Sequence, residues 1–170
     1  MNKIIGLVLS ILLIGLCFIP IFSAFTFTET RTEHPTIHFI ALEKQDSSFQ
    51  IIFTHTIHLT DVIESYRILE SNEIQLVSMQ YSDVAIGMPS YAEEGQTLIY
   101  ENGVYTLKYN KAVLKDFILH IGDVDKKLEF IYNEKNFDLK EELDRGKSFV
   151  FEVKKISLFE KVKGVKLNER

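Results

Sequence analysis

The amino-acid sequence predicts an all-β fold, an antiparallel β-sandwich or partly open barrel of about nine or ten short strands, preceded by one N-terminal transmembrane helix. Three features support this prediction. Residues 4–27 form an apolar run without a charged residue. After residue 36, apolar and polar side chains alternate with a period of two in several short segments, which is typical of half-buried strands. Helical patterns in the same part of the chain are short.

The apolar run determines the predicted location of the protein. A helix needs about 20 residues to span a bilayer, whereas the apolar region of a secretory signal peptide has roughly 7 to 15. We therefore expect residues 1–27 to be a signal anchor or transmembrane helix, with a cleaved signal peptide as the alternative. Lys3 precedes the run, and positive charge beside such a helix tends to stay in the cytoplasm. The remainder should lie on the extracytoplasmic side of the cell membrane.

The segment after the apolar run predicts a linker and then one β domain. Residues 28–35 are polar and end in Pro35, which is typical of an extended linker. Residues 36–170 are too few for two well-packed domains. The predicted strands lie near residues 36–42, 49–59, 63–70, 73–81, 96–101, 105–109, 117–121, 128–132 and 149–153. Asn102-Gly103 predicts a tight hairpin, and only residues 139–143 and 157–162 have short helical patterns.

Charge and cysteine content exclude several classes of function. The formal net charge of the chain is −5, so we expect no nucleic-acid partner. Cys17 is the only cysteine, which excludes an intramolecular disulfide and a cysteine-based zinc site. Basic residues nevertheless gather near the end of the chain and predict a basic C-terminal tail on the domain. They are Lys154, Lys155, Lys161, Lys163, Lys166 and Arg170.

The densest group of reactive side chains follows the alternating segment 49–59. His55, His58, Asp61 and Glu64 are spaced by three residues. In a strand, His55 and His58 would point to opposite faces of the sheet, so we expect no metal ion and no cofactor here. The alternation instead places His55 on the apolar face, where it needs a polar partner. We predict that His55 and Glu64 form a buried pair, with Tyr66 on the same side of its strand as Glu64.

A second candidate segment begins where a predicted strand ends at Tyr81. Asp83 follows it, and Gly87 and Pro89 indicate a stiff loop that brings backbone groups close to a pocket. His55, Glu64 and Asp83 would suit acid–base chemistry if they converged. No nucleophile-elbow motif surrounds any serine, so a catalytic reaction is an alternative rather than the main prediction.

Four short stretches follow each other in a characteristic order and spacing. They are Phe53-Thr54-His55-Thr56-Ile57, Glu64-Ser65-Tyr66, Tyr81-Ser82 and Gly87-Met88-Pro89. Together they resemble the bacterial family called domain of unknown function 1850, over roughly residues 37–155. The matching positions are His55, Thr56, Thr60, Val62, Glu64, Tyr66, Gly87 and Pro89. The sequence departs from the family pattern at Asp61, Ala85 and Ile86, and the last two make the loop before Gly87 bulkier.

The resemblance implies a biological setting but no reaction. Members are small exported proteins often encoded near tripartite transporters of the TRAP type with TAXI-class solute receptors. The expected function is therefore that of a membrane-anchored extracytoplasmic accessory or binding protein, with a transporter or solute-receptor protein as partner. A hydrolase or metal-dependent enzyme and a structural envelope protein are the alternatives. The predicted binding cluster consists of His55, Thr56, Glu64, Tyr66, Asp83, Gly87 and Pro89, without catalytic residues.

Overall fold

The structure is a computed structural model that describes residues 2–43, 48–84 and 87–170. In chain order its helices and strands are α1 (Asn2–Leu16), β1 (Pro20–Glu29), β2 (Ile37–Ala41), β3 (Ser48–Thr54), β4 (Asp61–Ile68), β5 (Ile74–Tyr81), β6 (Gln96–Glu101), β7 (Val104–Leu114), β8 (Asp116–His120), β9 (Leu128–Tyr132), β10 (Lys135–Asp138), α2 (Leu139–Glu142), β11 (Ser148–Ser157), α3 (Leu158–Lys163) and β12 (Val165–Lys166).

The described strands form two sheets that pack face to face. One has five strands in the order β12-β2-β1-β11-β8, and the other has seven in the order β10-β9-β3-β4-β5-β7-β6. Neighbours are antiparallel, except that β12 runs parallel to β2. The predicted mainly antiparallel β fold with few, short helices is confirmed as two sheets that do not close into a barrel, with more strands than expected.

Aromatic side chains fill the space between the sheets. Phe25 of β1 is fully buried, and its ring lies 5.2 Å from Phe49, 5.0 Å from Phe130 and 6.0 Å from Phe151, measured between centroids. These residues come from both sheets, so the two inner faces meet in one core. Edge-to-face and offset contacts of this kind add to the stabilisation from buried area.

The predicted transmembrane helix over residues 1–27 is wrong, because the apolar run contains two elements. Helix α1 ends at Leu16, and Pro20 begins β1, which pairs with β11 on one side and β2 on the other. Proline stops the helix. A strand that is buried on both of its faces has a sequence as apolar as that of a helix. None of the described helices is long and apolar enough to cross a membrane.

The boundaries of the β domain therefore differ from the prediction. The domain begins at Pro20 rather than at residue 36, and the segment expected to be a linker contains the end of β1 and its connection to β2. The last residues are also packed against the domain. Leu167 is buried and donates its N–H to Phe39 O over 3.0 Å, while Arg170 pairs with Asp138 at 2.8 Å.

Local sequence signals for turns and caps agree with the structure. Asn102 and Gly103 have φ of 52° and 81°, the positive values that a tight two-residue hairpin requires. At α3, the Ser157 hydroxyl accepts the N–H of Glu160, and the Glu160 carboxylate accepts the N–H of Ser157. This capping box satisfies two backbone donors at the start of the helix.

Candidate functional site

A cluster of two histidines and an aspartate lies where the loop between β3 and β4 meets the segment after β5. Strand β3 ends at Thr54, earlier than the alternation predicted. His55 then donates its N–H to Thr60 O over 2.8 Å and accepts the N–H of Leu59 on its own carbonyl over 2.9 Å. Leu59 has a φ of 57°, which is strained for a bulky residue. The loop therefore turns back on itself within six residues, 55–60.

This turn brings His55 and His58 together. Their rings stack with centroids 5.3 Å apart and an interplanar angle of 29°. The expectation that they point to opposite faces is wrong, because it assumed a strand that continues through both residues. His58 Nδ1 lies 3.3 Å from Asp83 Oδ2, so the segment after β5 holds the second ring. His58 was not among the predicted site residues, although Asp83 was.

The two rings have different hydrogen-bonding capacities. His55 Nδ1 accepts the backbone N–H groups of Ile57 and His58 over 3.4 and 3.5 Å, so the neutral ring carries its proton on Nε2. Asp83 Oδ2 lies 3.3 Å from His58 Nδ1, and a neutral His58 ring that donates to this carboxylate has its lone pair on Nε2. That atom is buried without a hydrogen-bond partner among the described residues. The pair therefore offers one donor and one acceptor.

Gly87 lies beside His55, and the loop that follows it is held by Tyr81. Gly87 has a φ of 93°, and a Cβ added to it would lie 3.7 Å from His55 Nε2. Pro89 accepts a hydrogen bond on its carbonyl from the Tyr81 hydroxyl over 2.6 Å. Met88 packs on the apolar cluster of Val62, Tyr81 and Leu107, which anchors this part of the loop. Ala85 and Ile86, where the sequence departs from the family pattern, lie outside the described residues.

Glu64 and Tyr66 form a separate polar pair and do not join the histidines. Glu64 is opposite Ile51 on β3, whereas His55 bonds to Thr60. Four residues along a strand correspond to about 13 Å, so the predicted His55–Glu64 pair is wrong. Instead the Tyr66 hydroxyl donates to Glu64 Oε2 over 2.7 Å. The prediction that Tyr66 shares a side with Glu64 is confirmed.

Burial controls the electrostatics of this second pair. It raises the pKa of Glu64, and the hydrogen bond from Tyr66 acts in the opposite direction. Burial also raises the pKa of Tyr66, and the nearby Glu64 carboxylate adds to that shift. Tyr109 has a raised pKa for the same two reasons. The inner face thus contains a carboxyl group that ionises less readily than it would in water.

The remaining predicted residues lie near the cluster without joining its hydrogen bonds. Thr56 is exposed in the loop, and Asp61 pairs with Lys127 Nζ at 2.7 Å, which lowers the pKa of Asp61. Within the part of the chain that the structure describes, His, Cys, Asp and Glu side chains form no group of three or more that could hold a metal ion.

Comparison with known proteins identifies one family. The family model described as Domain of unknown function (DUF1850) matches residues 49–139, more than half of the chain, and this part contains both the histidine cluster and the Glu64–Tyr66 pair. Neither the curated proteins nor the solved structures gave a match. The chain therefore belongs to the DUF1850 family.

Proposed function

We propose that this protein is a membrane-attached, extracytoplasmic binding protein whose contact surface is the histidine loop surface. This surface comprises residues 55–60, 82–84 and 87–89. The observation that carries the proposal is the convergence of His55, His58 and Asp83 at the ends of two strands. Binding residues are often on loops that a rigid sheet positions, and here β3, β4 and β5 hold both segments.

The unsatisfied ring nitrogen supports binding rather than a purely structural role. Leaving a buried acceptor without a donor costs about 1–3 kcal/mol, and such groups in native proteins call for an explanation. His58 Nε2 is buried, so a ligand group could reach it only if the loop rearranged; a group that donates to His58 Nε2 and accepts from His55 Nε2 would then satisfy both rings. Hydroxyl and carboxamide groups have this capacity, so the surface favours a polar, uncharged contact.

Exposed apolar side chains beside the rings support a protein as the partner. Ile57 and Leu59 are exposed in the loop, and the positive φ of Leu59 holds its side chain there at an energetic cost. Apolar residues surrounded by polar groups are typical of protein–protein contacts. The family resemblance points to a transporter or solute-receptor protein as this partner.

Helix α1 supports attachment to a membrane. Every side chain of α1 that the structure describes is exposed, and these are almost all apolar, from Ile4 to Leu16. The turn after α1 continues the apolar segment through Phe18 and Ile19. A bilayer would cover this surface, and the resemblance to a family of small exported proteins favours the extracytoplasmic face of that bilayer.

Protease protection tests the attachment and its orientation. Protease added to intact protoplasts should degrade the domain from residue 20 onward, and the cells should retain the α1 segment. A domain that resists protease until the membrane is permeabilised would contradict the orientation. Recovery of the intact chain in the soluble fraction would contradict the attachment.

Site-specific crosslinking in the native cell tests the contact surface. A photoreactive amino acid at Ile57 should capture a transporter or solute-receptor protein. The matched control is Ile118, an exposed apolar residue on β8 of the other sheet. His58→Gln should reduce capture from position 57 while leaving the melting temperature within a few degrees. Equal capture at both positions would refute the assignment, and loss of stability alone would favour a structural envelope protein.

The second candidate function is hydrolysis, which the His58–Asp83 contact favours. A histidine held by a carboxylate at Nδ1 can act as a general base through Nε2, and here the buried His58 Nε2 would have to become accessible to water. No serine or threonine hydroxyl in the described residues bonds to either ring, so the nucleophile would have to be water. Turnover of ester or amide substrates that disappears in both His58→Gln and Asp83→Asn would support hydrolysis over binding.

A further inference from the structure

We infer that α3 and the lysines around it form a second membrane contact, which docks the domain onto an anionic bilayer surface. This inference rests on the proposed attachment through α1 and adds the orientation of the domain. Three observations carry it: the exposed apolar side chains of α3, the unpaired lysines beside them, and the direct connection of α3 to the end of α1.

The apolar side chains of α3 face solvent. Leu158, Phe159 and Val162 are all exposed, with Val162 at 79%. They are spaced so that positions 158 and 159 both lie next to 162 on one side of the helix. The capping box at Ser157 and Glu160 holds this short helix in place. An apolar face on a rigid, exposed helix is typical of a membrane-interface segment.

Positive charge surrounds this apolar face on an otherwise acidic protein. Between residues 153 and 168 there are five lysines and one acidic residue, Glu160. Glu160 is engaged by the Ser157 N–H and hydroxyl, and Lys154 pairs with Glu152. The other four lysines are exposed and form no ion pair with a described residue; they are Lys155, Lys161, Lys163 and Lys166. Anionic lipid headgroups attract such a cluster.

Contacts at the end of α1 connect the two membrane-binding elements. Phe159 donates its N–H to Cys17 O over 3.0 Å, and its ring lies 4.9 Å from that of Phe18. Lys161 Nζ lies 4.5 Å from the centre of the Phe22 ring at the start of β1. A bilayer that receives α1 therefore meets α3 immediately, so one continuous apolar surface enters the same interface. Lysines can extend their ammonium groups toward the headgroups from such a position.

The absence of tryptophan from the chain allows a direct measurement. The full-length protein with Val162→Trp should be reconstituted into vesicles of phosphatidylcholine and phosphatidylglycerol that contain a brominated phosphatidylcholine. We expect quenching of the tryptophan in these vesicles and much weaker quenching when phosphatidylglycerol is left out or salt is raised. The matched control is Tyr100→Trp, an exposed position on β6, which should not be quenched.

Removing the lysine charges tests the electrostatic part. Lys161→Gln and Lys163→Gln together, in the Val162→Trp protein, should lower the docking equilibrium constant by about 25-fold, at roughly fivefold per lysine near an anionic surface. Sedimentation with the vesicles reports attachment through α1 separately. Sedimentation without quenching would overturn the docking inference alone, whereas failure to sediment would overturn both proposals. The tryptophan could instead become shielded from water without lipid, and more so at higher protein concentration. That result would assign the apolar face of α3 to contact with a second copy of the chain, and it would also overturn the inference.

Discussion

Replacing Phe25 with alanine tests whether the second half of the N-terminal apolar run belongs to the folded domain. Phe25 has no exposed surface, and four aromatic rings surround it at centroid distances of 4.9 to 6.0 Å. Truncation of a buried phenylalanine costs about 3–5 kcal/mol, because transfer free energy is lost and a cavity remains. A domain of this kind has roughly 5–15 kcal/mol of stability in total. We therefore expect a large loss for Phe25→Ala.

The matched control is Ile21→Ala in the same strand. Ile21 is exposed, so its truncation should change the free energy of unfolding by about 0.5 kcal/mol or less. Urea unfolding of the full chain in detergent, followed by far-UV circular dichroism and tyrosine fluorescence, measures both variants. Equal stability of Phe25→Ala, Ile21→Ala and the unchanged protein would refute the placement of β1 in the core.

Three further substitutions test individual contacts. Burial raises the pKa of Glu64, so ionisation of this group destabilises the folded state. The free energy of unfolding should therefore fall as pH rises from the unfolded pKa of about 4.5 toward the higher folded pKa. Glu64→Gln should remove that part of the pH dependence. Gly87→Ala, at a φ of 93°, should cost roughly 1–3 kcal/mol and shift the NMR resonances of the His55 ring; an unchanged His55 spectrum would contradict the contact. Leu167→Ala should cost about 2–5 kcal/mol in urea unfolding, whereas exposed Lys166→Ala should not.

Local signals in the sequence predicted the parts of the fold that depend on neighbouring residues. The alternating segments, the turn at Asn102-Gly103 and the cap at Ser157 each depend on a few adjacent side chains, and all three are present. The position of β1 depends on partners more than 100 residues away, such as Phe151, which pairs with Phe27. An apolar run cannot show whether lipid or protein will cover it. Pro20 was the one local sign of a division.

The histidine cluster was predicted only in part for a related reason. His55, Asp83 and Gly87 were identified, but the alternation separated His55 from His58 because it extended β3 to residue 59. A strand that ends five residues earlier reverses this conclusion, and element boundaries are the weakest part of a pattern-based prediction. The predicted His55–Glu64 pair failed because it depended on the register of β4 against β3. The hydrophobic pattern specifies which face a residue occupies but not which residue lies opposite it.

The family match and the fold together lead to one more prediction, about which part of the chain can fold. The matched residues 49–139 contain nearly all of the seven-stranded sheet and β8. The strands that cover that sheet, β1, β2 and β11, lie outside the match. Without β1 and β11, Phe49 and Phe130 would lose their contacts with Phe25 and Phe151.

A fragment of residues 48–139 should therefore fail to fold on its own. A sheet with one large apolar face must pack against another layer, and here β8 alone would remain to cover it. A fragment of residues 20–170 has both layers and should unfold cooperatively in urea with dispersed amide resonances. Cooperative unfolding and dispersed resonances in the shorter fragment would show that the matched region has a core of its own. The dependence of the matched region on β1 would then be refuted, and with it the inclusion of residues 20–29 in the minimal folding unit.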